Sequence, residues 1–471
     1  MHASIRVSTP DAVTEPPAAS FALPSTSRSS ARILPPIASA PGLIALTPPL
    51  YKTQICQIYS SRRLPPAGLR ARPPPLTVQQ LTKEAPMKIT KVEPLLLDRF
   101  LYVRISTDAG ITGIGESGTW GQLEASAASI AKYGDYLIGR DPFPIEHHWN
   151  VMLRANHFTG GAITGAVSAI DIALWDIKGK AFNVPVYELL GGRMRHKARL
   201  YGHVKGRTID KLLEEAVRLK EAGFTALGHL NPLLDEGEDD PYYKPHAAKI
   251  EEAIDNVRRL REAVGPKVDL CIEIHRRLTP PEAIALGRGI EKYTPMFFED
   301  PLRPNSFDAM AEVARHIHIP IATGERFTSL YQFQTLLTRN AVQYLRPDVC
   351  LCGGITGAKK IAAIAEAHDA WVVPHNPLSP ISTAACLQIA ACIPNFAIQE
   401  YPSRTPDLDG GKELLGNDLA AGLSEQQGGF IAIPTGAGIG VELVPDVEKK
   451  FPYRPRPIKM RPHADGSVVD M

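Results

Sequence analysis

Two hydrophobic rhythms divide the chain. From residue 87 to about 195, alternating runs give way to helical stripes. Strands are expected over about 88–96 and 101–107, meeting at a turn at Asp98-Arg99, with Asp108-Ala109-Gly110 turning the chain toward Ile114. Helices are expected at about 121–138 and 162–182; in the second, Ile170, Ala173, Leu174 and Ile177 form one apolar stripe. Asn183-Val-Pro185 stops that helix and Gly191-Gly192 closes the unit. From about 197 the rhythm changes to short β-rich runs separated by amphipathic helices such as 249–260 and 357–368. The runs fall at 198–204, 225–231, 268–274, 295–299, 319–324, 343–348, 371–375 and 396–400. Eight such strands with interposed helices predict an α/β fold, a (β/α)8-type (TIM-like) barrel behind an N-terminal α+β domain, with the active site where the strands end.

Residues 1–86 follow neither rhythm. They hold 15 of the 42 prolines and nine basic residues against three acidic ones, a balance of +6 that leaves −4 for residues 87–471 out of +2 overall. Rich in Ser, Ala, Pro and Arg, this segment has too little apolar surface to offset ordering entropy and is expected to be disordered. It reads as an organelle transit peptide, an uncleaved tail or an over-extended gene model. We favour the last, with a start at Met87, where globular composition begins. A cytoplasmic location follows, or organellar import if the extension is a transit peptide.

The near-zero balance excludes a nucleic-acid-coating protein. The absence of any run of about 18 apolar residues excludes a transmembrane helix. Cys56, Cys271, Cys350, Cys352, Cys386 and Cys392 form no CxxC pair and read as buried thiols in a reducing compartment.

Polar residues stand at the ends of the later strands: Glu273, Glu299, Glu325, Asp348, His375 and Glu400, with gaps of 26, 26, 23, 27 and 25. One β/α unit has that length, so six consecutive strands aim six polar side chains into one mouth. Polar residues often end strands merely because loops begin there, but six at a near-constant period favour a shared site. Carboxylates as close as Glu273, Glu299 and Glu325 repel unless a hard cation lies among them, and Mg2+ suits an all-oxygen set. His275 lies two residues after Glu273, which alternation places on the same face of the strand. Asp348, one strand from His375, would fix its tautomer and raise its basicity. A metal-bound carboxylate substrate and a base beside it suit removal of the proton on the adjacent carbon. Expulsion of a β-hydroxyl or reprotonation on the other face would follow.

Over about 87–471 the chain resembles the enolase superfamily, in its mandelate racemase-like branch, and is most similar there to acid-sugar dehydratases of the galactonate/gluconate type. The resemblance rests on the run from Ser168-Ala-Ile-Asp171 through Trp175-Asp176 to Lys178-Gly-Lys180, on Glu273-Ile-His275, Phe298-Glu-Asp-Pro301, Gly324-Glu-Arg326, Arg346-Pro-Asp348, Pro374-His-Asn376 and Ile398-Gln-Glu400. It implies that Glu273, Glu299 and Glu325 hold Mg2+, that His375 takes the α-proton with Asp348 behind it, and that His275 protonates the leaving 3-hydroxyl. Glu400, with Arg326, Asn231 and His229, would contact a small sugar-acid substrate. The unit 87–195, completed by 428–471, would cap the barrel 196–427, and its loops 115–122 and 156–161 would choose the substrate. A homo-oligomer is implied, with no nucleic-acid or membrane partner. The second strand, Ala226 to Asn231, lacks the Lys pair of the racemases, so Lys-based racemisation is not implied. A His275/His375 epimerase and a silent barrel scaffold stay as alternatives.

Overall fold

A computed structural model describes residues 87–234, 244–402, 418–458 and 461–469. The expectations on 1–86, on Cys56 and on most of the loop after the second barrel strand lie outside the described residues. The first sheet is an antiparallel meander of β1 (Ile89–Leu97), β2 (Phe100–Thr107) and β3 (Thr112–Ser117). Its first turn is tight enough to put Asp98 at a φ of 49°. The pleat of β2 sorts two cores. Leu101, Val103 and Ile105 face the helices of this domain, while Phe100 and Tyr102 join the cluster that continues into the barrel.

Three helices cover the sheet: Leu123–Leu137, Ile145–Arg154 and Gly161–Ala181. The middle one was not anticipated, although its buried Ile145, His148, Trp149 and Met152 keep helical spacing. The third lies directly on β3. A Cβ at Gly113 would stand 2.1 Å from the Ala173 carbonyl oxygen, and one at Gly115 would stand 2.0 Å from that of Ala169. Alternate glycines on the strand and alanines on the helix therefore let the two backbones touch.

Among the described residues, eight parallel strands follow: β4 (Lys197–His203), β5 (Ala226–Leu230), β6 (Asp269–Glu273), β7 (Phe297–Glu299), β8 (Ile321–Thr323), β9 (Tyr344–Leu345), β10 (Trp371–Val372) and β11 (Gln399–Tyr401). Their order is β10-β9-β8-β7-β6-β5-β4-β11. The ring closes where Val372 pairs with Phe396: the Val372 N–H donates to Asn395 O at 2.8 Å, and Ala397 N–H donates to Val372 O at 3.0 Å. Tyr201, Ala226, Cys271, Phe297, Ala322, Val373 and Ile398 fill the interior as a cluster of their own. The fold is the capped barrel expected from the sequence. Cys271, Cys350, Cys352, Cys386 and Cys392 are free and buried. No helix among the described residues is long and apolar enough to cross a membrane.

The C-terminal tail binds both domains. Phe430–Ala432 pairs antiparallel with the first residues of β4, Lys197 to Arg199. Beyond it, Val186 N–H donates to Gly438 O and Ile439 N–H to Asp176 Oδ1, both at 2.9 Å.

Buried acids fix the cap to barrel helices. Asp171 accepts from Thr356 N–H at 2.9 Å and from its hydroxyl at 2.6 Å, while Ser168 Oγ accepts from Gly353 N–H at 2.9 Å. Those donors belong to the first turn of the helix Gly354–Glu366 and the residue before it, where unpaired N–H groups and the helix dipole favour an acceptor. Glu116 does the same for the helix Pro380–Cys392, accepting from Ser379 Oγ–H at 2.6 Å and Ser382 N–H at 2.9 Å.

Two outcomes are expected. Gly115→Ala drives a methyl into the Ala169 carbonyl, an overpacking that costs about 1–3 kcal/mol or more, measurable by denaturant unfolding. The second concerns pH. Burial pushes the Glu116 carboxyl up to about 8 and that of Asp171 up to about 7, against the hydrogen bonds each accepts. Both ionise near pH ~4 in an unfolded chain. The folded state thus keeps protons that the unfolded state releases. The stability this lends is complete below pH ~4 and is lost as pH rises through 7 to 8. The thermal midpoint should fall between about pH 5 and about pH 8.5, and Glu116→Gln should flatten that fall.

Candidate active site

The strand ends deliver a dense group of acids. Glu273 and Glu299 end β6 and β7 in register with each other. Glu325 follows Gly324, whose φ of 136° leads the chain away from β8. Donor atoms of Glu273, Asp300 and Glu325 lie within 4.8 Å of one another. Asp300 was missed from the sequence, although it stands in the Glu-Asp-Pro run, because regular alternation would send it to the opposite face. Its φ of 40° breaks the pleat and returns it to the mouth.

Two buried guanidiniums, neither anticipated, hold the acids together. Arg276 Nη1 donates to Asp300 Oδ2 at 2.9 Å and to Glu325 Oε1 at 2.5 Å. Arg346, 1% exposed, pairs its Nε with Glu299 Oε1 and donates from Nη2 to Glu400 Oε2 at 2.6 Å. Glu299, expected beside Glu273 and Glu325 as a ligand, thus faces Arg346 and stands in neither three-donor group of the mouth. Burial raises the carboxyls of Glu273 and Glu299 well above the usual range, and the neighbouring acids add to the rise. Glu325 and Glu400 end below it, because His375 and the arginines outweigh their burial.

The structure brings Asp348 and His375 into contact. Asp348 Oδ2 meets His375 Nδ1 at 2.9 Å, and Oδ1 accepts from Cys350 N–H at 2.7 Å. The ring's Nε2 then points at Glu325 Oε2, 3.5 Å away. Burial opposes a charge on this imidazole, but Glu325, Glu400 and Asp348 outweigh it and raise it to about 9.

On the other side of the acids stand three imidazoles. His275 Nε2 is 3.7 Å from Glu273 Oε1 and His229 Nδ1 is 4.0 Å from Glu273 Oε2. Alternation does not bring His275 there: the strand ends at Glu273, and the φ of 53° at His275 turns the ring inward. His203, which ends β4, stacks on His229 at 4.9 Å and hydrogen-bonds Glu400 Oε1 through Nε2 at 2.8 Å. It was missed because the series of strand ends was begun at Glu273, though the spacing of 26 to His229 was there to see. Burial, the neighbouring His229 ring and Arg276 and Arg277 hold His275 well below its usual range.

Asn231 and Arg326 were also expected to contact substrate. Asn231 Oδ1 accepts from Leu233 N–H at 2.9 Å, capping its own turn, and Arg326 is exposed. From the cap, Gly118 donates its N–H to Cys350 O at 2.8 Å, and a Cβ on it would stand 3.1 Å from Asp348 Oδ1. The loop 115–122 therefore reaches the Asp348–His375 pair.

The residues fit a hard divalent cation. Glu273 Oε1 is buried with no hydrogen-bond partner in the middle of the acid group, and every nearby carboxylate offers oxygen.

The chain belongs to the mandelate racemase/muconate lactonizing enzyme family of the enolase superfamily. Residues 76–191 match the N-terminal domain of mandelate racemase and muconate lactonizing enzyme, and 211–447 match the enolase C-terminal domain-like family. It is similar to a D-galactonate dehydratase of Ralstonia pickettii (strain 12J), 37% identical over 390 residues that cover 82% of this chain and all of that one. Among solved structures it is similar to an enolase from Agrobacterium radiobacter with bound Na and L-malate, at 28% identity and a TM-score of 0.74, covering 82% of this chain and 100% of the other. A mandelate racemase/muconate lactonizing enzyme from Sulfitobacter sp. matches at 30% identity and a TM-score of 0.72, covering 80% and 98%.

Removing Arg346 strands two buried carboxylates. Arg346→Met is expected to cost about 3–5 kcal/mol in denaturant unfolding. Arg346→Lys should not restore it, because one ammonium on a flexible stem lacks the fork that reaches Glu299 and Glu400 together.

Proposed function

We propose that this chain is a Mg2+-dependent hydro-lyase that dehydrates a sugar acid, with D-galactonate the first substrate to test. The observation that carries the reading is the pair of unlike imidazoles flanking one acid group, His375 backed by Asp348 beside Glu325 and His275 beside Glu273. The likeness to the D-galactonate dehydratase supports the choice of substrate. Glu273 and Glu325, with Glu299 or Asp300, would hold the cation. Bound there, Mg2+ supplies the positive charge that makes a carbon acid beside a carboxylate ionisable near neutral pH.

The chain's own residues do the rest. His375 Nε2 takes the proton from C2, and Asp348 keeps the other nitrogen protonated and accepts its hydrogen bond. His375 must reach that step unprotonated. Glu325 is the largest charge that keeps the proton on it, so screening Glu325 frees the base. His275 gives a proton to the 3-hydroxyl as the C3–O bond breaks, and water leaves. The carboxylate of a bound sugar acid is the anion that would raise His275 enough to carry that proton. The enol left behind becomes the 2-keto-3-deoxy acid. Glu400, fixed by Arg346, His203 and the Asn376 N–H, is placed to meet a substrate oxygen. The cap loop around Gly118 closes over the base and excludes water.

Full-length protein, Mg2+ and a panel of sugar acids, followed by semicarbazide trapping of 2-keto acid and by proton exchange in D2O, tests the reading. His375→Ala should lose exchange and product together, by about 10²–10⁴-fold. His275→Ala should lose product by a similar factor and retain exchange at C2. No keto acid from any member of the panel, with exchange into a substrate of inverted configuration, would replace dehydration by epimerisation.

A further inference from the structure

The mouth holds a second group of metal-binding atoms, different in chemistry from the acids. We propose that His229, Glu273 and His275 form a separate site for a borderline transition metal such as Zn2+, sharing Glu273 with the hard-cation site. One donor atom from each lies within 4.8 Å of the other two. Glu273 divides between its neighbours, Oε1 toward His275 Nε2 at 3.7 Å and Oε2 toward His229 Nδ1 at 4.0 Å. Of these, Oε1 is buried without a hydrogen-bond partner. The two rings meet edge to face, 4.8 Å between centroids at 80°, so their nitrogens converge from two directions.

Both histidines are held in this pose by backbone that non-glycine residues avoid, φ 54° at His229 and 53° at His275. Behind His229 the ring of His203 stacks at 23° and is itself tied to Glu400, which restricts how far His229 can turn. His229 is 40% exposed and His275 23% exposed along the side chain, so an ion from solvent can reach them. Two imidazoles and one carboxylate, with room for water, form the donor set of open transition-metal sites. Mg2+ prefers oxygen and gains little from it. The pair therefore discriminates by hardness: the acids for Mg2+, the imidazole pair for Zn2+, Co2+ or Ni2+.

Occupation of this site ties up the His275 nitrogen. If His275 is the acid proposed above, Zn2+ is an inhibitor that binds beside Mg2+ rather than in its place. That consequence rests on the dehydratase reading, whereas the binding site does not.

Co2+ titration of the full-length protein in saturating Mg2+ tests both, read by visible absorption and by calorimetry. The expected result is one Co2+ per chain with the spectrum of nitrogen ligation. His229→Phe, which keeps the stacked ring, should weaken it by at least ~10–100-fold, the loss that even outer partners of a metal site bring. Glu325→Gln should weaken Mg2+ and leave the Co2+ spectrum. No nitrogen-ligated spectrum in the wild type, or a Co2+ affinity that falls in Glu325→Gln and stays unchanged in His229→Phe, overturns the proposal. Should His229→Phe fail to fold by circular dichroism, His275→Asn with the same spectroscopy decides. Zn2+ should also slow wild-type turnover with Mg2+ present, and whatever turnover His229→Phe keeps should resist it. If no sugar acid is turned over at all, the Co2+ spectrum still accepts or rejects the site.

Discussion

Six carboxylates, those of Glu273, Glu299, Asp300, Glu325, Asp348 and Glu400, end at one barrel mouth, and all but the partly exposed Glu325 are buried. Two guanidiniums and the imidazoles of His375 and His203 hydrogen-bond among them. Like charges at this density cannot all ionise in a low-dielectric site, and the group divides accordingly. Glu325 and Glu400, where His375 and the arginines together outweigh burial, hold their charge, whereas Glu273, Glu299 and Asp300 are pushed toward the neutral form, even though Glu299 meets Arg346 and Asp300 meets Arg276. The excess of negative charge is what a cation relieves. On the proposed reading it would also disfavour a substrate carboxylate until a cation is present, so the cation would bind before the anion.

The same constraint explains the backbone. His229, His275, Arg276 and Asp300 all sit at positive φ, at the ends of three adjacent strands, β5 to β7. A strand that kept its pleat would send alternate side chains outward, into the layer between strands and helices. Leaving the pleat one residue early brings consecutive side chains into the mouth, at a conformational cost that the surrounding barrel absorbs. Function is concentrated where local preference is violated, and that is why the site was only partly legible in the sequence. The period of strand ends reveals Glu273, Glu299, Glu325, Asp348, His375 and Glu400 because it depends on unit length alone. Asp300 and the route of His275 into the mouth depend on backbone turns with no marker in the composition. Arg276 and Arg346 were hidden for another reason. A basic residue at a loop start reads as solvated unless the acids around it are already known to be buried.

The fold itself was more legible, because burial on both faces writes parallel strands as continuous apolar runs. All eight barrel strands lie where such runs fall. The helix Ile145–Arg154 carried its spacing openly and was passed over between two stronger signals. What sequence alone could not assign was the purpose of the Ser168-to-Lys180 run. It proves to be a clamp: Ser168 and Asp171 take the N–H groups at the start of the helix Gly354–Glu366, Trp175 donates to Thr356 Oγ1 at 2.9 Å, and Asp176 meets the tail at Ile439. A motif that marks the family does so here by joining domains, and none of its side chains reaches the acids of the mouth in the contacts above.

Clamp and catalyst nevertheless meet through one short path. The helix that Asp171 caps begins six residues after Asp348. Between them Cys350 gives its N–H to the Asp348 carboxylate and its carbonyl to Gly118 of the cap loop. Cap loop, Asp348 and His375 therefore form a chain of direct contacts. A Cβ at Gly118 would crowd Asp348, standing 3.1 Å from its Oδ1. Cys350 thus ties the loop 115–122 to Asp348 through its own backbone, its carbonyl accepting from Gly118 and its N–H donating to the carboxylate. On the dehydratase reading proposed above, the loop that would meet substrate and the carboxylate behind the base would share this hydrogen-bonded link.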